Sequence, residues 1–193
     1  MPVRFLLVLI LCTGAVHAAG QVRVFLLAGQ SNMEGQGVVD LDHPDYYNGG
    51  KGTLNRVMAD AKDPQRYAHL KTAGGEWVVR DDVFIRFRTK RGLKHGGLGI
   101  GFTGYDGGHH IGPELQIGHV LGDHFKEPVL LIKTAWGGKS LSKDFRPPGA
   151  EGATGPFYLQ MIREIREALA ACDAEFPALA GCSPEISGFI WFQ

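Results

Sequence analysis

Ser31 is the residue of this chain best placed by its neighbours to act as a nucleophile. It lies in the stretch Val22 to Gly37, VRVFLLAGQSNMEGQG, just after an unbroken apolar run from Val24 to Ala28. A serine hydroxyl attacks poorly unless it is held at an open edge beside a base and hydrogen-bond donors. The run before it is short and contains β-branched and aromatic residues, which suits a strand buried on both faces. Such a strand ends at the carboxyl edge of a parallel sheet, where open α/β folds place their ligands. Gly29 stops the run, and Gln30 and Asn32 flank the serine. Gly35 and Gly37 allow backbone N–H groups to turn toward a ligand. The same residues also compose an ordinary strand-ending turn, so this stretch alone leaves both readings open.

Other patterns could carry chemistry. Gly99-Ile100-Gly101-Phe102-Thr103-Gly104 spells a dinucleotide-binding pattern, but more glycines follow where a helix must open, and the next helix begins at Pro113. Gly138-Lys139-Ser140 has the end of a phosphate loop, but Lys133 stands where its first glycine is required. Asp106-Gly107-Gly108-His109 could join a base to its orienting acid, with His110 alongside. Asp106, His109 and His110 could also suggest a metal site, yet their spacing matches no common ligand set.

Four blocks, taken together, carry a family resemblance. Gly29-Gln30-Ser31-Asn32-Met33, directly after the first strand, resembles the nucleophile block of the SGNH hydrolases. More narrowly, it resembles the sialate O-acetylesterase and carbohydrate esterase family 6 branch. Ile111-Gly112-Pro113-Glu114 is similar to that branch's Gly-Pro-Glu helix start, and Lys133 to Leu141, KTAWGGKSL, to its second glycine block. Phe189-Ile190-Trp191-Phe192-Gln193 is similar to the beginning of its Trp-x-Gln-Gly block. The blocks stand in the family's order from residue 22 to residue 193, so one domain, 22–193, is expected.

The resemblance implies a flavodoxin-like three-layer α/β/α fold around a parallel sheet, and an ester hydrolase that needs no cofactor or metal. Ser31 would be the nucleophile and its own N–H one oxyanion donor, with Gly138 giving another. Gln30, Asn32 and Gln193 fall in the matched blocks and are expected on the substrate side. The family's Asn or Glu after Gln-Gly and its later Asp-x-x-His are not in this sequence. Base and orienting acid are therefore expected beyond residue 193, with the last strands missing and the chain inactive and aggregation-prone alone. His109 precedes the Gly-Pro-Glu helix, out of family order, and is read as a residue of the site's rim.

The elements that must position these residues are legible in outline. Thr53 caps a short helix carrying Leu54, Val57, Met58 and Ala61, which Asp63-Pro64 ends. Trp77 to Arg80 and Val83 to Arg88 are strand-like, with Thr89 to Gly97 as a turn and Leu98 to Phe102 as the return. This reads as an antiparallel hairpin inserted beside the main sheet. Its Arg86, Arg88, Lys90, Arg91 and Lys94 read as a solvated basic side, or as a lure for anionic sugars. Pro113 opens a helix with Ile117, Leu121 and His124 or Phe125 on one face and Gly118 and Gly122 allowing close packing. Val129 to Ile132 is a second buried strand. Tyr158, Ile162, Ile165, Leu169 and Cys172 mark an amphipathic helix, and Ser187 to Gln193 a third buried strand. Alternating strands and helices with short links imply parallel pairing.

The chain of 193 residues suffices for one core, and its 20 basic and 20 acidic side chains balance. That balance gives no sign of a nucleic-acid or membrane partner. Residues 1–18 read as a signal peptide: Arg4, then an apolar core from Phe5 to Leu11, far shorter than the about 20 residues a bilayer span needs, then Val16-His17-Ala18. A secreted or periplasmic protein is expected, with lipid anchoring at Cys12 the weaker reading. Two cysteines remain, Cys172 and Cys182, and in an exported chain they read as a disulfide, with two separate buried thiols as the other reading. The function expected is removal of O-acetyl groups from sialate, xylan or another acetylated carbohydrate. The other reading is a catalytically incomplete or non-catalytic carbohydrate-binding relative.

Overall fold

A computed structural model describes residues 20–41, 45, 49 and 51–193. The leader expected over residues 1–18, with Cys12, and part of the polar stretch between Asp40 and Gly52 lie outside the described residues. In chain order the elements are β1 (Gln21–Gly29), α1 (Ser31–Glu34), β2 (Gly37–Val38), α2 (Leu54–Ala59), β3 (Val83–Thr89), β4 (Gly92–Gly97), β5 (His110–Ile111), α3 (Glu114–His124), β6 (Val129–Ala135), α4 (Pro156–Ala170), α5 (Cys172–Glu175) and β7 (Ser183–Phe192). Short 3-10 turns lie at Pro64–Leu70 and Pro177–Leu179.

The main sheet runs β4-β3-β6-β1-β7. Its last four strands are parallel and β4 is antiparallel at the edge. β2 and β5 form a separate two-residue antiparallel ribbon. The apolar run of β1 serves two layers. Val22, Val24, Leu26 and Ala28 pack toward α4, with Met161, Ile165 and Ala168. Phe25 and Leu27 pack toward α3, with Ile117 and Leu121. The expected three-layer α/β/α arrangement is the one observed, and it makes the Val24–Ala28 run apolar at every position. Thr53 caps α2, accepting from the Arg56 N–H at 3.3 Å. Gly118 and Gly122 lie where a Cβ would sit 2.1 Å from Leu98 and 2.4 Å from Val83, so α3 packs against β3 and its flank only through glycine. Among the described residues no helix is long and apolar enough to cross a membrane.

The hairpin differs from expectation in both arms. β3 is no insertion; it pairs in parallel with β6 and belongs to the central sheet. The turn is tight, between Thr89 and Gly92, so Gly92–Gly97 is the return and Leu98 to Phe102 is loop. The run of Gly, Lys and His concealed this return strand, because nothing apolar alternates there. Trp77 to Arg80 makes only a single bridge, Trp77 to Lys71. Much of the basic side is also not solvated. Arg86 is buried and meets Glu175 at 2.6 Å, and Lys94 Nζ donates to the carbonyls of Gly101, Thr103 and Tyr105. A charge that is buried or half-buried must find such partners.

β7 begins at Ser183, earlier than expected, and lies at the sheet edge with Ile186 and Phe189 more than half exposed. Cys172 and Cys182 are free thiols where a disulfide was expected. Cys172 is buried in the α4 layer with Cys182 packed against that cluster. Burial, then Asp173, Cys182 and Glu175, push the Cys172 thiol up.

His119 on α3 is buried beside Arg80 and against the edge of His69, with Asp82 and Asp123 facing the same guanidinium. Burial, then His69 and Arg80, hold it below the ordinary histidine value of 6.5, while Asp123 and Asp82 oppose the shift. The unfolded chain therefore binds a proton that the folded one refuses. Stability is full above pH of about 6.5 and falls as the pH drops below it. Urea unfolding is expected to show a lower midpoint at pH 5.5 than at pH 7.5. His119→Gln, which can still accept from Arg80, should flatten that dependence.

Candidate active site

The register of the parallel strands builds the candidate site. Gly29 stands opposite Ala135 of β6 and Phe192 of β7, so three strands end at one edge. Trp136 N–H donates to the Gly29 carbonyl at 3.3 Å, and Gln30 N–H to the Phe192 carbonyl at 3.3 Å. A Cβ on Gly29 would lie 1.9 Å from the Phe192 carbonyl oxygen, at a φ of +152° that side chains rarely adopt. Glycine is what lets the chain turn here.

The turn delivers Ser31 as the first residue of α1, half-buried, where its N–H has no intrahelical partner. Glu34 N–H donates to the Gln30 carbonyl at 2.7 Å and Gly35 N–H to the Ser31 carbonyl at 3.1 Å. Met33, wholly buried, pins this single turn into the α3 layer. From the end of β6, Gly137 and Gly138 come up beside it. Gly138, at φ +72°, turns its N–H onto Gln30 Oε1 at 3.1 Å. Gln193 Nε2 donates to the Lys139 carbonyl at 3.2 Å, and Asn32 Nδ2 to the Gln193 carbonyl at 2.6 Å. Gln30, Ser31, Asn32, Gly138 and Gln193 thus share one edge. A cleft of ≈ 480 Å³ opens beside Asn32, lined also by Gly35, Ile111, Gly112 and Phe192.

The histidines go elsewhere. His109 Nδ1 lies 2.7 Å from Asp40 Oδ1, exposed beside the β2–β5 ribbon. Asp106 meets Arg91 at 3.3 Å, and His110 stacks on Tyr105 with ring centroids 4.3 Å apart. Asp106 and His109 therefore form no pair, despite spelling one. Among the described residues no side-chain hydrogen bond joins a histidine to Ser31. Cys182 sits near Gly20, at the far, amino end of β1.

Sequence reasoning missed the charge beneath the site. Lys133 follows the apolar Val129–Ile132 run of β6 and reaches Glu114 Oε2 at 2.7 Å, with both side chains sealed from solvent at 0% and 1% exposure. Its Nζ also donates to the Phe102 carbonyl at 2.7 Å, and Phe87 presents its ring 4.7 Å away. Burial pushes the Lys133 ammonium below the usual lysine range, and the Glu114 carboxylate opposes this. A lone lysine inside VLLIKTA was the available signal, since lysine is almost never fully buried unless paired.

A family model described as carbohydrate esterase, sialic acid-specific acetylesterase, matches residues 21–193, and the chain belongs to that family. A search of curated protein sequences found no match. Among solved structures, an Arabidopsis thaliana protein is similar at 16% identity and a TM-score of 0.47, over 89% of this chain and 56% of that one. A carbohydrate acetylesterase from Xanthomonas citri is similar at 17% identity and a TM-score of 0.38, over 88% of this chain and 32% of that one. The chain thus spans about half the length of the first and a third of the second.

The Gly29 turn gives a direct test. Gly29→Ala should destabilise by about 2–4 kcal/mol, because the new methyl meets fixed backbone in a strained conformation. Gly75→Ala also sits at positive φ but in open space, and should cost only about 1 kcal/mol. Urea unfolding of the two variants measures the difference.

Proposed function

We propose that this chain bears the nucleophile of a carbohydrate O-acetylesterase. The observation that carries this reading is Ser31 at the head of α1, beside the Gly137–Gly138 loop, at the shared end of β1, β6 and β7. Ser31 Oγ attacks the acetyl carbonyl carbon and its proton passes to a base. The oxyanion then takes hydrogen bonds from the N–H groups of Ser31 and Gly138. The bond to the sugar oxygen breaks, the sugar leaves with a proton, and acetyl-Ser31 remains. Water then attacks, acetate departs and the serine is restored. Gln30, Asn32 and Gln193 border the substrate. His109 is exposed beside the β2–β5 ribbon and, among the described residues, shares no hydrogen bond with Ser31, so the base is assigned to another residue. The leader-like residues 1–18 support action outside the cytoplasm, where acetylated polysaccharide or sialate would be met.

A second reading has an observation of its own. Gln30 Oε1 occupies the Gly138 N–H, as suits a relative that binds acetylated sugar without turning it over. Aryl acetate hydrolysis and acetate release from an acetylated sugar separate the two. In a protein that also carries the base, the esterase reading expects turnover that Ser31→Ala lowers by about 10³-fold or more with the circular dichroism unchanged. Saturable binding of the sugar without acetate release would establish the second reading instead.

A further inference from the structure

Three parts of the molecule meet at Glu34, the last residue of α1. Its carboxylate Oε2 accepts the Gly137 N–H at 2.9 Å. Its carbonyl oxygen accepts from Lys133 Nζ at 3.0 Å. Its other carboxylate oxygen lies against the loop after β4: a Cβ on Gly104 would be 2.3 Å from Oε1, and one on Gly137 would be 2.9 Å from Oε2. Glycine at both places is what admits the carboxylate. Lys133 is in turn fixed by Glu114, whose Oε1 accepts the Gly112 N–H at 2.9 Å.

We propose that Glu34 is a positioning residue that ties the nucleophile's turn to the glycine loop carrying Gly138, with the buried Lys133–Glu114 pair as its anchor. This rests on the esterase reading of the site. The need for such a tie follows from the elements themselves. α1 is a single turn, too short to hold its own shape. Gly137 and Gly138 are consecutive residues with the widest backbone freedom. The peptide between them carries the Gly138 N–H, so rotation about Gly137 re-aims that donor. A hydrogen bond from Gly137 to an ionised carboxylate is of the stronger kind and holds the peptide on one side. An error of about 1 Å in such a donor costs about 10²-fold in rate.

Amide exchange read by NMR on the full chain tests this without requiring turnover. Glu34→Ala should raise Gly137 exchange by about tenfold or more while the β1 amides stay protected. Glu34→Gln keeps an acceptor oxygen and should stay within about threefold of the parent. In aryl acetate hydrolysis, Glu34→Ala should lower kcat by about tenfold or more with KM within about twofold, and Glu34→Gln should recover most of the loss. Because loss of Glu34 could loosen the whole fold, a second variant removes the anchor. Lys133→Met with Glu114→Leu replaces the buried pair by apolar side chains, and should unfold cooperatively yet raise exchange at Gly35 and Gly137. Unchanged Gly137 exchange in Glu34→Ala overturns the proposal, as does an active chain whose kcat ignores that substitution. With the base supplied, Glu34-dependent protection and no turnover support the tie and remove the esterase reading alone.

Discussion

The closeness of β1 to β7 at Gly29 is the constraint on which the site depends. Parallel strands have no turn to align their ends, so the alignment must come from the ladder itself. Here the carbonyl of Phe192 stands where the Cβ of residue 29 would be. That contact, with the two hydrogen bonds across the gap, sets β1, β6 and β7 flush. Flush ends are what bring Ser31, the Gly137–Gly138 loop and Gln193 into reach of one another. A slip of one residue would send Val24, Leu26 and Ala28 into the other apolar layer and separate the loops at the same time.

Beneath that edge lies a second commitment. An ammonium and a carboxylate sealed in the α3 layer cost several kcal/mol each in lost hydration. The pair recovers this only through geometry: Lys133 Nζ reaches Glu114 and the carbonyls of Glu34 and Phe102. Such a group tolerates one arrangement of its neighbours, where an apolar side chain would tolerate many. The loops around the serine are rich in glycine, so a demanding buried charge suits their support. Wholly buried Met33 supplies the apolar half of the same footing.

Much of the frame was legible because its signals are local. Val24–Ala28, Val129–Ile132 and the Tyr158–Cys172 face declare themselves by apolar run or by period, and the matched blocks place Ser31 and Gly138 at strand ends. What escaped depends on tertiary partners. β3 looked like a surface hairpin because Arg86 and Arg88 interrupt it, and only the fold shows Glu175 waiting for Arg86. β4 carries no alternating pattern at all. Asp106 and His109 have the spacing of a pair, yet each faces another residue across the chain. The two cysteines were read from compartment and count, neither of which reports that Cys172 is submerged in the α4 layer.

Gln30 already offers an acceptor to the Gly138 N–H. On the proposed reaction, an incoming ester carbonyl must displace it, trading one neutral acceptor for another of about equal strength. The exchange yields almost nothing in the ground state. When the carbonyl oxygen becomes an oxyanion, its hydrogen bond is about twice as strong as a neutral one, and the trade turns favourable. A resident amide thus costs the substrate and the transition state the same amount and leaves the difference between them as it was. Catalysis profits only from that difference. The same competition applies to any neutral carbonyl compound that reaches the Gly138 N–H, so the donor is screened from casual ligands by the side chain next to the nucleophile.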